Sequence, residues 1–156
     1  MSDRSGRPFE LRDTSAVVEG FLTKAEIPFA PAGAGRWGAQ LRGDHKHSIG
    51  FGIAIVGDSI TFEAFFMRRP QENLDRFYEL LLRRNLRSYG IHFALDADGD
   101  VYLVGQRAIA GLTEEELDRI VGAILLEADG LFDAAIEVGF ASYLERDRAW
   151  RARANE

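Results

Sequence analysis

The sequence predicts one α+β domain whose elements follow the order α-β-β-β-α-β-β-α. Before residue 70, three successive runs have the character of strands, and short turns rich in Gly and Asp separate strand-like runs from one another. Further along, two apolar stripes with helical spacing flank a shorter pair of strand-like runs. Neighbouring strands joined by short turns pair antiparallel, so we expect a three-stranded meander and a later hairpin.

The first element is a helix that begins near Thr14. Apolar side chains recur there with helical spacing, at Val17, Val18, Phe21, Leu22 and Ala25. Asp13 or Thr14 supplies the oxygen that caps the first turn, and Pro28 and Pro31 end the helix in a loop. We expect residues 1–12, which are polar and interrupted by Gly and Pro, to form a flexible tail.

Three strands follow, at residues 36–42, 48–56 and 59–69. In the second strand, large side chains alternate with glycine or alanine, which is the period of two expected of a strand. Gly57 and Asp58 form the turn that leads into the third strand. Pro70 ends that strand because it has no amide hydrogen to donate, and it suits the first turn of a following helix.

The rest of the chain predicts a helix, a hairpin and a second helix. The first of these helices ends before Gly90, and its apolar stripe contains Leu74, Phe77, Tyr78, Leu81 and Leu82. Thr113 and Glu116 have the spacing of a capping box for the last helix, in which Gly130 and Gly139 are candidate breaks. We place the domain at residues 13–150 and a frayed C-terminus at residues 151–156.

The acidic segment "DADGD" lies between two strand-like runs and has two interpretations, a calcium loop or a hairpin turn. An EF-hand loop that began at Asp96 would need glycine at its position 6 and glutamate at its position 12, but Val101 and Arg107 stand there. Asp and Gly are suited to a tight turn. We therefore predict that Asp96, Asp98 and Asp100 form a turn and bind no metal.

The composition excludes several classes of site. The 156-residue chain contains no cysteine, which excludes disulfides, thiol catalysis and cysteine-bound zinc. His45, His47 and His92 lack the partners of a metal site or a catalytic triad, and no glycine-rich phosphate loop opens a helix. We predict no catalytic residue, no metal and no cofactor. The chain also shows no signal peptide and no apolar run of membrane length, which predicts a cytoplasmic protein with no membrane contact.

Charge is unevenly placed along this acidic chain, whose formal net charge is −6. Residues 68–87 hold six arginines, including Arg76, and carry a net charge of +3; their candidate basic patch contains Arg68, Arg69, Arg83, Arg84 and Arg87. Residues 95–130 carry a net charge of −7. These charges are either ordinary solvated helix faces or complementary patches that steer association. Nucleic acid is disfavoured as a partner because its binding domains are usually basic.

The strand alternation predicts two different faces of the sheet. One face is made of large apolar side chains and packs on the helices. The other is apolar but small at its centre, and its candidate partner or dimer residues are Gly50, Gly52, Ala54, Phe65, Met67 and Tyr102. Repeated glycine in strands indicates that another backbone or helix approaches closely. Either the C-terminal helix or a second chain covers this face.

The stretch "LLRRNLRSYGIHFALDADGDVYLVGQRAIAGLTEEELDRIVGAIL" resembles the bacterial YbjN-like domain family, which is labelled a family of sensory transduction regulators. The motif "RRN" at a helix end, the "HFALDADGDVYL" hairpin and the "LTEEELDRIVG" helix carry the resemblance, which extends over about residues 13–145. That family is similar in fold to type III secretion chaperones. The resemblance implies a curved antiparallel sheet with flanking helices, frequent dimerisation and a non-enzymatic binding role.

We therefore predict a protein-binding module, regulatory or chaperone-like, that engages a polypeptide, either a second copy of itself or another protein. Two alternatives from other classes stay open. The first is a small-ligand sensor or an enzyme that uses a pocket between helix and sheet. The second is a nucleic-acid regulator that uses the arginines of residues 68–87, and the small local charge makes it the weakest of the three.

Overall fold

The computed structural model describes residues 7–155. Its elements are α1 (Arg7–Lys24), β1 (Phe29–Pro31), β2 (Arg36–Leu41), β3 (Ile49–Val56), β4 (Ser59–Met67), α2 (Leu74–Asn85), β5 (Ile91–Leu95), β6 (Val101–Ala108), α3 (Glu114–Gly139) and α4 (Ala141–Ala154). The six strands form one antiparallel sheet in the order β1-β2-β3-β4-β6-β5. The α+β prediction is confirmed.

Several boundaries differ from the prediction. Helix α1 begins at Arg7, inside the predicted tail, whose residues 1–6 lie outside the described part of the chain. Strand β1 was not predicted, and Pro70 precedes α2 by four residues instead of opening it. Helix α4 continues to Ala154, through most of the segment predicted to fray.

The last helical segment breaks at its second candidate glycine. Helix α3 runs through Gly130 and ends at Gly139. A Cβ atom on Gly139 would lie 2.8 Å from Pro70 Cβ and 2.9 Å from Phe77 Cδ2, so only glycine allows this close contact. The carbonyl oxygen of Gly139 also accepts a hydrogen bond of 2.9 Å from the amide of Gln71. The break therefore fixes the point from which α4 departs.

One face of the sheet and helices α1, α2 and α3 enclose the core. The largest fully buried side chains come from both layers and include Phe62, Phe66, Phe77, Leu22, Ile49 and Ile120. The predicted capping box is present in part, since Thr113 Oγ1 accepts a hydrogen bond of 3.1 Å from the amide of Glu116. Within residues 7–155, none of the helices is both long and apolar enough to cross a membrane.

Both outer strands have occupied or blunted edges. On β5, the amide of Phe93 donates to Asn85 Oδ1 at 2.7 Å, and Asn85 Nδ2 donates to the carbonyl oxygen of Phe93 at 3.2 Å. The Asn85 side chain therefore takes the place of a neighbouring strand. On β1, the carbonyl oxygen of Pro28 accepts from the amide of Gln40, and the amide of Ala32 donates to the carbonyl oxygen of Arg36. Pro28 and Ala32 therefore face β2, and the backbone of Phe29 and Pro31 between them faces outward. Pro31 has no amide hydrogen to offer at this edge.

Helix α4 packs against α3 near its start and has no buried residue. Glu72 anchors its first turn by accepting hydrogen bonds from Ser142, at 2.6 Å from the amide and 3.0 Å from the hydroxyl. Further along the helix, the aromatic side chains of Tyr143 and Trp150 are 55% and 65% exposed. Most of α4 is therefore solvated.

Candidate protein-binding surface

The sheet face turned away from α1, α2 and α3 is the candidate site, and we call it the open face. Its central residues are Gly38, Gly50, Gly52, Ala54, Phe65 and Tyr102. Gly38 pairs with Gly52, which in turn pairs with Glu63, so small residues on β2 and β3 adjoin a carboxylate on β4. The groove above these residues has a volume of about 560 Å³.

The glycines of the open face have no conformational reason to be glycine. The φ angles of Gly38, Gly50 and Gly52 lie outside the left-handed region that favours glycine. A Cβ atom on Gly38 or Gly50 would meet nothing within 4 Å, and one on Gly52 would make only ordinary contacts of 3.8 and 3.9 Å. Because glycine weakens a strand, this flat floor costs stability without serving any internal contact.

Aromatic side chains form one wall of the groove. The rings of Phe65 and Tyr102 pack edge to face with centroids 5.5 Å apart, and Phe65 remains 39% exposed. The ammonium of Lys46 lies 5.9 Å from the Phe65 centroid and 5.1 Å from that of Phe132 on α3. Partial burial lowers the pKa of Lys46.

Two carboxylates of α3 tie the loop that carries Lys46 to that helix. Asp129 Oδ1 accepts hydrogen bonds of 2.7 and 2.9 Å from the amides of His45 and Lys46. These two backbone bonds hold the pKa of Asp129 below its ordinary value. His45 Nδ1 also lies 2.6 Å from Asp133 Oδ2, so His45 contacts a helix carboxylate and does not converge with His47 on a metal position.

Carboxylates surround the Tyr102 end of the open face. The pKa of Tyr102 is raised, first by its partial burial and then by the nearby charges of Asp96, Asp100, Glu63 and Asp98, in that order. No ion pair of the described residues involves Glu63. The open face is thus an apolar, glycine-floored surface with an acidic rim.

Met67 does not belong to this face, and its prediction was wrong. The pairing of β4 with β6 shifts between Phe65 and Met67, where a β-bulge inserts an extra residue. After the shift Met67 pairs with Val101, which is buried on the helix side, and Met67 itself is only 5% exposed. Strict alternation assigned it to the opposite side.

The predicted basic patch is divided by its own ion pairs. Arg84 is bonded to Glu127, a carboxylate that is 4% exposed on α3, and Arg83 pairs with Glu79 at 2.8 Å. The backbone amide of Arg69 donates to Asp100 Oδ1 at 2.9 Å. The Arg69 contact leaves its guanidinium unpaired among the described residues, so the ion pairs of Arg83 and Arg84 alone reduce the cationic surface of the patch.

The acidic segment forms the predicted hairpin turn. Asp96 Oδ1 accepts hydrogen bonds of 2.9 Å from the amides of Asp98 and Asp100, and Gly99 takes a φ of +85°. The carboxylates of Asp96 and Asp100 therefore bind backbone amides, the second through the amide of Arg69. In the described residues, no three His, Asp or Glu side chains are grouped as metal ligands.

A second groove, of about 870 Å³, lies between the end of α1 and the loop after β2. Its lining is polar and charged at Glu26, Gln40, Arg42, His47 and Ser48, and apolar at Ile27, Pro28 and Leu41. Gln40 Nε2 and Ser48 Oγ are hydrogen-bonded to each other within it. This groove is where the small-ligand alternative has most room.

Comparison with protein families shows which family this chain belongs to. The YbjN family model, described as "Putative bacterial sensory transduction regulator", matches residues 14–137. The chain belongs to the YbjN family. An uncharacterised protein of Mycobacterium tuberculosis is 40% identical to it over 117 residues, which make up 75% of this chain and 64% of that relative. The match therefore spans just under two thirds of the relative's length.

Solved structures place this YbjN chain among type III secretion chaperones in fold. The HopA1–SchA chaperone–effector complex contains a chain that superposes with a TM-score of 0.56 at 14% identity, over 76% of this chain and 92% of that one. The ExoU–SpcU heterodimer from the type III secretion system of Pseudomonas aeruginosa gives 0.56 at 13% identity, over 74% and 95%. At these identities the likeness establishes the fold. The first of these complexes joins a chaperone to its effector.

The sequence missed two features that position the site. Glu127 occupies the apolar stripe of α3, between Ile124 and Leu131, and a carboxylate at such a position signals a buried partner such as Arg84. Pro31 at a strand edge gave no signal, because β1 has only three residues.

Proposed function

We propose that this YbjN domain is a non-enzymatic binding module, regulatory or chaperone-like, that receives a polypeptide on its open face. The supporting observation is the glycine floor. Gly38 and Gly50 are exposed and have open space above them, and their backbone needs no glycine. A floor without side chains lets a helix or an extended chain approach the sheet closely.

The sheet edges favour the face over the edges as the binding surface. A partner that added a strand to β5 would have to displace the Asn85 side chain from both polar groups of Phe93. A partner that added a strand to β1 would meet Pro31, which cannot donate a hydrogen bond. Docking on the open face requires neither change.

We further propose that the domain acts in the cytoplasm and that a second copy of the chain is one of its partners. Apolar contact at Phe65 and Tyr102 would supply the burial, and the acidic rim would set the register. Part of the opposed charge of residues 68–87 and 95–130 is already paired within the chain, through Arg84 and Glu127, and the remainder favours such an association. The small-ligand alternative predicts a saturable thermal shift with a compound that fits the groove beside Arg42 and His47.

The test of the binding role is Gly50→Val. Valine is favoured in strands and has open space here, so the variant should be at least as stable as the parent while its side chain stands in the groove. Tagged chains in extracts of the source bacterium should lose their captured proteins when they carry Gly50→Val. The amounts are measured by quantitative mass spectrometry.

The matched control is Gly122→Ala. Gly122 is exposed on α3, away from the open face, and a Cβ there also meets nothing within 4 Å. This change should stabilise the helix by about 1 kcal/mol and leave capture unchanged. Equal capture by the parent and by a folded Gly50→Val variant would contradict the proposed role of the open face.

A further inference from the structure

We propose that the polypeptide on the open face is helix α4 of a second copy, so that two chains exchange their C-terminal helices. This inference rests on the open face being the binding surface and names its occupant. The YbjN match ends at residue 137, before α4 begins at Ala141, so the proposed occupant lies outside the matched family region.

Helix α4 has little internal support beyond its first turn. It has 14 residues and none of them is buried. Isolated helices of about this length are marginal in water, and most helices gain their stability by packing an apolar face. The exposed face of α4 contains Tyr143 and Trp150, which are seven residues apart and lie on the same side.

The dimensions of α4 match those of the open face. A 14-residue helix is about 21 Å long, and the six strands span about 24 Å from β1 to β5. Tyr143 and Trp150 are about 10 Å apart along the helix, which is about two strand spacings. With Trp150 on the glycine floor of β3, Tyr143 reaches β6 beside Tyr102.

The charges agree with the same placement. Arg146 lies about 6 Å from Trp150 along the helix and on the same side, which puts it over β4, where Glu63 stands without an ion-pair partner among the described residues. Helix α4 carries four arginines against two acids, whereas the Tyr102 end of the open face is acidic. Arg36, at the other end of the face, is a positive charge and does not fit this complementarity.

A chain does not cover its own open face in this structure. The departure of α4 is held by the close contact of Gly139 with Phe77 and by the bonds from Ser142 to Glu72. In this arrangement the space above Gly38 and Gly50 stays empty. In a two-fold dimer, helix α4 of each copy can lie on the open face of the other copy.

Disulfide trapping tests the exchange, because the chain contains no cysteine of its own. One chain carries Gly38→Cys and the other Ala154→Cys, a position on the Trp150 side of α4 that the placement above brings over β2. Mixed and mildly oxidised, the two should form a covalent dimer, since a disulfide needs Cβ atoms about 4 Å apart. The control is Ala152→Cys, which lies on the opposite side of the same helix and should form at most a tenth as much dimer with Gly38→Cys.

Charge exchange gives a second readout in the full chain. Glu63→Arg and Arg146→Glu should each raise the dimer dissociation constant about tenfold, and the two changes together should restore most of the affinity. Analytical ultracentrifugation measures the constants, and circular dichroism checks that each variant is folded.

Three outcomes would overturn the exchange. These are no covalent dimer from the Gly38→Cys and Ala154→Cys mixture, equal yields with Ala152→Cys, or a disulfide that forms only within one chain carrying both cysteines. Any of them would show that α4 of a second copy does not occupy the face. The binding role itself would still be decided by the Gly50→Val capture experiment, which does not depend on α4.

Discussion

Replacing Asn85 with alanine tests how much the closed edge of β5 contributes to stability. Asn85 ends α2, and its side-chain amide makes two hydrogen bonds to the backbone of Phe93, at 2.7 and 3.2 Å. Both bonds are partly buried. Alanine keeps the helix but leaves the amide and the carbonyl of Phe93 without these partners.

The expected loss is about 2 kcal/mol. Each intramolecular hydrogen bond contributes about 1 kcal/mol net. The two backbone groups left unpaired are partly shielded from water, so water cannot fully replace the lost bonds. For a domain of this size, such a loss lowers Tm by about 4–8 °C. Asn85→Asp should lose about half as much, because a carboxylate still accepts from the amide of Phe93 but cannot donate to its carbonyl oxygen.

Urea denaturation measures the loss, and hydrogen exchange at the Phe93 amide reports it locally. Arg83→Ala is the matched control in the same helical turn. Arg83 makes only an exposed ion pair with Glu79, so its removal should change stability by less than about 0.5 kcal/mol. If Asn85→Ala costs no more than Arg83→Ala, the two hydrogen bonds do not hold the edge and the reasoning fails.

Three further predictions follow from the same structure. Phe51→Ala and Phe93→Ala should each cost about 3–5 kcal/mol in denaturant melts, since both side chains are buried on the helix side at 4% and 7% exposure, and losses under about 1 kcal/mol would mean that they do not fill the core. Millimolar calcium should leave Tm unchanged, because the carboxylates of Asp96 and Asp100 bind backbone amides; a saturable rise equivalent to about 2.7 kcal/mol would indicate a tight site. Asp129 has a pKa lowered from an ordinary value of 3.8, so its stabilising effect is present above that value and is lost as pH falls towards the lowered one. Asp129→Asn should therefore flatten the acid limb of a stability–pH profile, and an unchanged limb would contradict this assignment.

Most of the sheet could be predicted from residue patterns because its determinants are local. In β3, large side chains such as Ile53 alternate with small ones, and Gly57 adopts a φ of +60° in the turn that follows. The period of two and the turn chemistry together define a strand boundary within one or two residues. These are short-range properties that need no knowledge of the rest of the chain.

The errors occurred where distant contacts override the local pattern. The alternation that predicts an outward Met67 is broken by a bulge, which depends on how β4 pairs with β6 more than thirty residues later in the chain. Strand β1 is too short for any periodicity, and its pairing with β2 defines it. Local sequence carries little information about either event.

In the candidate site, too, local patterns predict some features and distant contacts determine others. The glycine and aromatic members of the open face follow from alternation along single strands. The charge pattern does not, because Arg84 appears in the sequence as part of a basic stretch and in the structure as the partner of buried Glu127. Whether a charged side chain is free to bind depends on residues that are more than forty positions away.

The closed edges of the sheet also determine what kind of assembly this protein can build. A β-sheet that offers a free strand at each side can add further chains without limit, and fibres grow in this way. Asn85 at one side and Pro31 at the other obstruct that route, because an added strand would have to displace the Asn85 side chain from Phe93 or pair with a residue that has no amide hydrogen. The protein therefore displays a flat, glycine-rich sheet face without a free strand edge beside it to start a fibre.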